Sequence, residues 1–155
     1  MGTVALYSSE YDGLFFTFRS QTVSNELPIS RVYMTIKSIL VTGGAGYIGS
    51  ICVEKLVSEG YQVTVIDNLK TGHREAVSKD ANFFHGDIGC PKNLNEVFKN
   101  CLPDAVLHFA GSTLVSESIA KPLVYFKNNT INGFTLLECA KSYGVRKFIF
   151  SSTCA

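Results

Sequence analysis

From Met34 onward, short apolar runs alternate with longer segments in which apolar residues recur every three or four positions. The short runs predict strands and the longer segments predict helices. The predicted strands cover residues 36–41, 62–66, 82–85, 105–109 and 147–150. Strict alternation of strand and helix is typical of a parallel sheet with right-handed crossovers and a helix layer on each face. The pattern therefore predicts an α/β fold with a doubly wound parallel sheet, and we expect it to be truncated after the fifth strand.

The helical period also predicts which residues face the core. The first helix, residues 47–59, is expected to point one face inward, formed by Ile48, Ile51, Cys52, Leu56 and Val57. A second helix begins at Pro91, with an inner face of Leu94, Val97, Phe98 and Cys101. A long third helix spans residues 122–143 and ends at Gly144, with an inner face of Leu123, Phe126, Phe134, Leu137 and Ala140.

Residues 1–33 do not continue this pattern. They contain the turn signal Asp12-Gly13 and the breaker Leu27-Pro28, and no helical period runs across them. We expect a poorly ordered N-terminal extension. A strand–turn–strand unit built from residues 4–7 and 15–18 is the alternative. Residues 34–155 would then form the folded domain.

A glycine-rich run, Val41-Thr42-Gly43-Gly44-Ala45-Gly46-Tyr47-Ile48-Gly49, lies where the first strand gives way to the first helix. Gly44, Gly46 and Gly49 fit the pattern G-x-G-x-x-G, and Gly43, Gly46 and Gly49 fit its G-x-x-G-x-x-G variant. Glycines at such a turn let a pyrophosphate approach the backbone, and the helix directs its positive end toward that anion. Its strand–turn–helix context predicts a Rossmann dinucleotide-binding domain. The alternative is a tight turn without a ligand.

An acidic residue follows at the position that this fold requires. Asp67 ends the second strand, eighteen residues beyond Gly49. A carboxylate there can accept hydrogen bonds from both hydroxyls of an adenosine ribose and would repel the 2′-phosphate of NADP. Asp67 therefore favours NAD as the cofactor. The alternative is that Asp67 and Asn68 merely form a turn.

Other polar or glycine-bearing strand ends are predicted to meet at the same rim of the sheet. These are the glycine turn, Asp67, Asp87 with Ile88, residues 109–111 and residues 151–153. Ligands of open α/β sheets bind at the carboxyl ends of the strands. The rim is therefore the predicted site.

Composition narrows the functional classes. Hydrophobic residues make up 46% of the 155 residues, which indicates a folded protein, and the net charge of +1 gives no electrostatic case for binding nucleic acid or an anionic membrane. No apolar run approaches membrane-spanning length. Five dispersed cysteines without a C-x-x-C pair indicate a reducing, cytoplasmic environment. His85, Cys90 and His108 match no zinc spacing, so no metal is expected.

The sequence from Met34 to the end resembles the extended short-chain dehydrogenase/reductase family. The glycine run marks the superfamily, and further matching stretches are residues 86–88, 121–123 and 147–153. Residues 67–77 and 108–129 point to its UDP-sugar epimerase branch. Lysine stands in some members where this chain has Thr113, so one charged cofactor contact would be lost, although a hydroxyl can still donate.

The resemblance implies a role for each candidate cofactor residue. Tyr47 and Ile48 would lie against the pyrophosphate, and Asp87 and Ile88 would bracket the adenine, with Asp87 accepting from its amino group. The nicotinamide side would be formed by Phe109, Ala110, Gly111, Thr113 and Asn128, and the adenosine ribose would be surrounded by Asp67, Asn68, Leu69, Lys70, Thr71 and Gly72. His108, inside an apolar strand, is predicted to be a core histidine.

The resemblance also implies a reaction in which NAD takes a hydride from C4 of a sugar nucleotide and returns it to the opposite face. A tyrosine would take the hydroxyl proton, with its pKa lowered by a lysine four residues later. Thr153 matches the hydroxyl residue that bonds the same sugar oxygen, a strand-end hydroxyl being the alternative. Tyr143 and Lys147 have the Tyr-x-x-x-Lys spacing but straddle Gly144, so they are not expected to share a helix face.

We therefore expect the N-terminal part of a UDP-sugar epimerase, inactive alone, that binds its UDP-sugar only within the full-length enzyme. A fragment of a nucleotide-sugar 4,6-dehydratase or a uronate epimerase is the alternative among enzymes, and a non-catalytic NAD-binding module is the alternative outside them. A homodimer, or association with a separate C-terminal half, is the expected assembly, because an exposed edge strand and uncovered apolar surface favour association.

Overall fold

The computed structural model describes residues 5–6, 17–18 and 36–152. The chain divides into two compact units, Met1–Thr35 and Ile36–Ala155. In the first unit, strand β1 (Ala5–Leu6) pairs antiparallel with strand β2 (Thr17–Phe18), and Ala5 lies opposite Phe18. These strands fall within the runs 4–7 and 15–18, and the rest of the predicted extension lies outside the described residues.

A five-stranded parallel sheet forms the second unit. Its strands are β3 (Ser38–Thr42), β4 (Gln62–Asp67), β5 (Asn82–His85), β6 (Ala105–His108) and β7 (Lys147–Phe150), in the order β5-β4-β3-β6-β7. The chain moves outward from β3 to β5 and then returns to the other side of β3. This reversal between β3 and β6 is the topological switch point at which such sheets bind ligands. The predicted doubly wound fold is confirmed.

Helices connect the strands. Helix α1 (Tyr47–Ser58) follows β3, a 3-10 turn (Arg74–Ala76) follows β4, and α2 (Pro91–Cys101) follows β5. Between β6 and β7 lie α3 (Val115–Ala120), α4 (Pro122–Tyr125), a π-helical segment (Phe126–Asn132) and α5 (Gly133–Ser142). Gly144, with φ of +75°, ends α5 as predicted, and its N–H donates to the carbonyl of Lys141 at 3.0 Å.

The sheet separates two apolar cores. Ile39 and Val41 of β3 pack with Val53 of α1 on one face. Leu40, between them, packs on the other face with Phe98 of α2 and Leu136 of α5. Alternate side chains of β3 therefore pack into the two cores, and this packing fixes the positions of the carboxyl ends of the strands.

The predicted inner face of α1 is partly wrong. Ile48 and Ile51 are 58% and 55% exposed, whereas Gly49 and Val53 are buried. The reason is the close contact between α1 and the glycine turn, since a Cβ atom on Gly49 would collide with the carbonyl oxygen of Gly43. Only glycine fits this inward position, so the apolar period does not mark it.

The predicted inner face of the third helix is wrong except for Ala140. Leu123, Phe126 and Phe134 are 81%, 64% and 61% exposed, and Leu137 is exposed as well. The buried positions are instead Tyr125, Gly133, Leu136 and Ala140. The expectation of one regular helix also missed α3 and the π-helical segment. The face predicted for α2 is confirmed, because Leu94, Val97 and Phe98 are buried and Cys101 packs against them.

Candidate functional site

A cavity of about 400 Å³ opens at the carboxyl ends of β3, β4, β5 and β6. Most of the residues predicted to bind cofactor line it: Gly43, Gly46, Asp67, Asn68, Lys70, Thr71, Gly72, Asp87, Ile88, Phe109, Ala110, Gly111, Thr113 and Asn128. Loops that are distant in the sequence thus meet at one site, as expected for a parallel sheet.

Four predicted cofactor residues do not line the cavity with the others. Tyr47, Ile48 and Gly49 form the first turn of α1, and the side chains of Tyr47 and Ile48 are exposed. Leu69 packs against the apolar core beside α1, with its backbone at φ of +56°. Backbone contacts from the start of α1 remain open to a ligand, whereas the Leu69 side chain faces the core.

The glycine turn closes tightly against the neighbouring strand. Gly43 has φ of +73°, and a Cβ atom at this position would lie 2.6 Å from the backbone nitrogen of Ala110. The N–H of Gly43 donates to the carbonyl of Ile66 at 2.9 Å, and the N–H of Gly46 donates to the carbonyl of Gly43 at 3.1 Å. The turn is therefore hydrogen-bonded to β4 and packed against the chain after β6, and Gly43 can only be glycine without strain.

The start of α1 suits an anion. Gly46 caps the helix without a side chain, and no acidic residue lies in the first turn. The first N–H bonded within the helix is that of Ser50, which donates to the carbonyl of Gly46 at 2.9 Å. The N–H groups of Tyr47, Ile48 and Gly49 thus lack intrahelical acceptors, and they carry the positive end of the helix dipole.

Asp67 is held rigidly beside this turn. One carboxylate oxygen accepts from the N–H of Ala45 at 3.0 Å, and the other accepts from the N–H of Leu69 at 2.8 Å. Each carboxylate oxygen has a second lone pair available. The carboxylate can therefore receive two further hydrogen bonds from a ligand in the cavity without rearranging the loop.

Asp87 is fixed in the same manner after β5. Its carboxylate accepts from the side-chain amide of Asn68 at 2.8 Å and from the N–H of Gly89 at 2.7 Å. Asn68 thereby ties the loop after β4 to the loop after β5. Ile88, next to Asp87, is buried and supplies an apolar wall to the cavity.

Two adjacent asparagines of the π-helical segment hold the loop after β6. Asn129 pairs with the Ser112 backbone twice, accepting from its N–H at 2.8 Å and donating to its carbonyl at 2.9 Å. Asn128 donates to the carbonyl of Ala110 at 3.1 Å. A π-turn within a longer helix often marks a functional site, and here it directs consecutive side chains to one loop.

Helices α3 and α4 add a polar wall that sequence reasoning missed. The hydroxyl of Tyr125 donates to Glu117 at 2.9 Å, and Lys121 lies 3.4 Å from the other oxygen of this carboxylate. Both hydrogen bonds lower the pKa of Glu117, and the one from Tyr125 has the larger effect. The lining residues not predicted to bind cofactor are Ile66, Gly86, Ser112, Leu114, Glu117, Val124, Tyr125, Lys127 and Asn132.

His108 lies behind the site, in the core. It is buried, and its Nδ1 lies 2.6 Å from the hydroxyl of Thr42. Its ring contacts those of Phe148 and Phe150, with centroids 6.2 and 5.2 Å away. Burial lowers the pKa of His108 to about 4, so the ring is neutral at pH 7. The prediction of a core histidine agrees with this environment.

The Tyr-x-x-x-Lys spacing does not produce a catalytic pair near the cavity. Tyr143 follows the last residue of α5, and Lys147 is the first residue of β7. Tyr33 and Lys37 have the same spacing, and Tyr33 lies outside the described residues. Lys37 precedes the amino end of β3, opposite the cavity at the carboxyl ends of the strands, and its N–H donates to Asp104 at 2.8 Å. Thr153 also lies outside the described residues.

Within residues 36–152 and the β1–β2 pair, no three His, Cys, Asp or Glu side chains are grouped closely enough to hold a metal ion.

Burial raises the pKa of Cys101 to about 11, which makes this thiol a poor nucleophile. No helix in the described part of the chain has the length and apolarity needed to cross a bilayer.

Fold and cavity together define a dinucleotide-binding α/β domain, and comparison with known proteins specifies its family. Residues 39–155 match the model of the NAD dependent epimerase/dehydratase family, and the chain belongs to this family. The resemblance of the sequence to UDP-sugar epimerases is confirmed by this family match together with relatives named UDP-glucose 4-epimerase.

Several relatives share this region. A UDP-glucose 4-epimerase of Lacticaseibacillus casei is 48% identical over 118 residues, covering 76% of this chain and 36% of the relative. UDP-arabinose 4-epimerase 1 of Arabidopsis thaliana is 38% identical over 151 residues, covering 92% of this chain and 36% of the relative. The chain thus spans about a third of the length of the curated relatives it matches.

Solved structures agree with the fold. A UDP-glucose 4-epimerase of Thermus thermophilus in complex with NAD is 43% identical, with a TM-score of 0.73 over 74% of this chain and 37% of that one. A UDP-glucose 4-epimerase of Thermotoga maritima with UDP-glucose is also 43% identical, with a TM-score of 0.72 over 74% of this chain and 37% of that one.

Proposed function

We propose that this chain is the NAD-binding part of a UDP-glucose 4-epimerase, the enzyme that interconverts UDP-galactose and UDP-glucose in galactose metabolism. The observation that carries the proposal is the Asp67 carboxylate, fixed by two backbone N–H groups beside a glycine turn that opens into the cavity. Relatives with this name at 48% identity support the choice of reaction.

We propose that NAD lies in this cavity along the sheet. The glycine turn at β3 and the open N–H groups of α1 would hold the pyrophosphate. Asp67 at β4 would bind the adenosine ribose, and Asp87 after β5 would accept from the adenine amino group. On the other side of β3, Phe109 and Gly111 after β6 would face the nicotinamide. A Cβ atom on Gly111 would have only Asn129 Oδ1, at 3.9 Å, nearby, so this wall leaves room for a ring.

When bound, NAD supplies the acceptor for the hydride removed from C4 of the sugar. The residues of this chain position that chemistry: the π-helical asparagines fix the loop after β6, and Thr153 would hydrogen-bond the sugar hydroxyl. Proton transfer needs a Tyr–Lys pair near the nicotinamide. Tyr143 and Lys147 lie on different elements, and Lys37 lies at the amino end of β3, away from the cavity at the carboxyl ends of the strands. We therefore propose that these 155 residues bind NAD without turning over a UDP-sugar.

A second candidate substrate is UDP-arabinose. The Arabidopsis relative named for it aligns with 92% of this chain, against 76% for the bacterial UDP-glucose 4-epimerase. The cofactor site would be the same for both sugars. Assays on the longer protein containing this chain, with UDP-galactose and UDP-arabinose in parallel, would separate them by the ratio of kcat/KM.

We further propose that the protein is cytoplasmic, because its five cysteines are dispersed without a C-x-x-C pair.

We also propose that these 155 residues self-associate when they are produced alone. Leu123, Phe126 and Phe134 expose large apolar surfaces along α4 to α5, and Ile149 is exposed on the edge strand β7. Exposed apolar patches and uncovered edges favour association. Sedimentation at micromolar concentration should show oligomers, and a stable monomer would contradict this expectation.

Calorimetric titration of the 155-residue chain with NAD tests the proposal. Binding is expected for the wild type and for Asp80→Ala, an exposed carboxylate variant, and strongly weakened binding is expected for Asp67→Ala. A coupled assay for UDP-galactose epimerisation should show no turnover above a Thr153→Ala control. Absence of NAD binding by the wild type would refute the cofactor assignment, and measurable turnover would refute the proposed inactivity.

A further inference from the structure

Asn132, the last residue of the π-helical segment, reaches from the helix to the loop after β5. It lines the cavity and is half-buried. A Cβ atom built on Gly89 would lie 2.5 Å from Asn132 Nδ2 and 2.8 Å from its Oδ1. The amide of Asn132 therefore lies directly against the Gly89 backbone, and this contact is possible only because residue 89 has no side chain.

The side-chain amide of Asn132 has no hydrogen-bond partner among the described residues, unlike the amides of the other asparagines near it. Asn68 donates to Asp87, Asn93 accepts from the N–H of Asp87, and Asn128 and Asn129 bond the loop after β6. Among the residues that the structure describes, none hydrogen-bonds the side chain of Asn132. A donor and an acceptor thus project together into the cavity wall without protein partners. A half-buried amide in this position is open to water and equally to a ligand in the cavity.

Strand order indicates which part of a dinucleotide meets this amide. With the pyrophosphate at β3 and the ribose at Asp67 of β4, the base lies toward β5, where Gly89 follows Asp87 and Ile88. An asparagine side chain can pair with adenine through one donor and one acceptor. The Asp87 carboxylate supplies only acceptors, so any hydrogen bond to a ring nitrogen must come from another group, and the Asn132 amide is one side chain that can donate there.

We propose that Asn132 binds the adenine of NAD, donating to a ring nitrogen and accepting from the amino group, while Asp87 accepts the amino group's other hydrogen. This inference rests on the proposed function. It assigns adenine recognition to the helix between β6 and β7 as well as to the loop after β5. Gly89 is part of the same adenine site, because a side chain at this position would displace the Asn132 amide.

Binding of NAD, ADP and nicotinamide mononucleotide to the full chain, measured by calorimetry, tests the proposal. Asn132→Ala should bind NAD and ADP on the order of tenfold more weakly, the loss expected for one to two neutral hydrogen bonds. Its affinity for nicotinamide mononucleotide should not change. Asn132→Asp should also weaken ADP, because a carboxylate cannot donate to a ring nitrogen. Asn100→Ala, an exposed asparagine on α2, is the matched control and should bind like the wild type.

The outcomes separate this inference from the proposed function. If the wild type binds no NAD, the proposed function fails and this inference fails with it. If the wild type and Asn100→Ala bind NAD, but Asn132→Ala binds NAD and ADP as tightly as they do, the inference alone is overturned. Equal weakening of nicotinamide mononucleotide and ADP would also overturn it, since the loss would then not be specific to the base. Folding of each variant is checked by its thermal melt, and alanine is a better helix former than asparagine.

Discussion

Replacing Gly43 by alanine should damage both the stability of the domain and its cofactor site. Gly43 has φ of +73°, and a Cβ atom there would lie 2.6 Å from the backbone nitrogen of Ala110 and 2.6 Å from the carbonyl carbon of Phe109. Neither backbone atom can move alone, because β6 is paired with β3 along its length. The added methyl must therefore push the end of β6, and with it the cavity wall, away from the glycine turn.

Gly144→Ala provides a matched reference for this change. Gly144 has φ of +75°, but a Cβ atom there would meet nothing within 4 Å. Both variants incur the left-handed backbone penalty, roughly 1–2 kcal/mol. Both also lose a similar amount of unfolded-state entropy. Only Gly43→Ala adds steric overlap, which costs about 1–3 kcal/mol in packed sites. The difference in the free energy of unfolding between the two variants therefore isolates the steric cost.

Urea denaturation followed by circular dichroism measures both variants. Gly43→Ala should be less stable than Gly144→Ala by about 1–3 kcal/mol, with unchanged m-values. Its affinity for NAD should fall about tenfold or more, corresponding to at least about 1.4 kcal/mol. Gly144→Ala should retain NAD binding, since Gly144 lies at the other end of α5. Equal destabilisation of the two variants would refute the argument that the glycine turn is held by contact with β6.

Three further outcomes are expected. Asp67→Asn removes the charge but keeps the size, so the ratio of NAD to NADP affinity should fall about tenfold by calorimetry, and an unchanged ratio would contradict the role of the carboxylate. Asn129→Ala removes the acceptor of the Ser112 amide, so this amide should exchange with deuterium faster in the variant than in the wild type by NMR, whereas the core-strand amides should exchange at the same rate in both. His108 has a folded-state pKa of about 4, below the 6.5 of an unperturbed histidine, so the unfolded state binds the proton first as the pH falls. The free energy of unfolding should therefore decrease from pH 6.5 toward pH 4, and His108→Asn should flatten this dependence while His73→Asn does not.

The fold could be predicted from the sequence because each strand is a short apolar run bounded by breakers. Leu40, Val65 and Val106 are all buried, and nearly continuous apolar runs are what a sheet covered on both faces requires. The loop residues of the site were predictable for a related reason. In a parallel sheet, the strand ends locate the ligand edge before any side chain is placed.

The inner face of the helix between β6 and β7 could not be predicted in the same way. Hydrophobic periodicity selects the more apolar stripe, which is the exposed one carrying Leu123, Phe126 and Phe134. The inward stripe carries Asn128 and Asn132 because it lines a polar cavity. A rule based on apolar burial thus fails where a helix faces a ligand. The adjacent asparagines within an otherwise helical stretch were the available signal.

The spacing of the strands sets the distance that a ligand must span across the sheet. Neighbouring strands lie about 4.8 Å apart, so the tips of β4 and β6, on either side of β3, are about 10 Å apart. A mononucleotide seated at β4 and β5 would end at the glycine turn and leave the loop after β6 without contact. A molecule that extends across the central strand must continue beyond its pyrophosphate, as a dinucleotide does. Contacts on both sides of β3 are therefore available together to a dinucleotide and not to a mononucleotide.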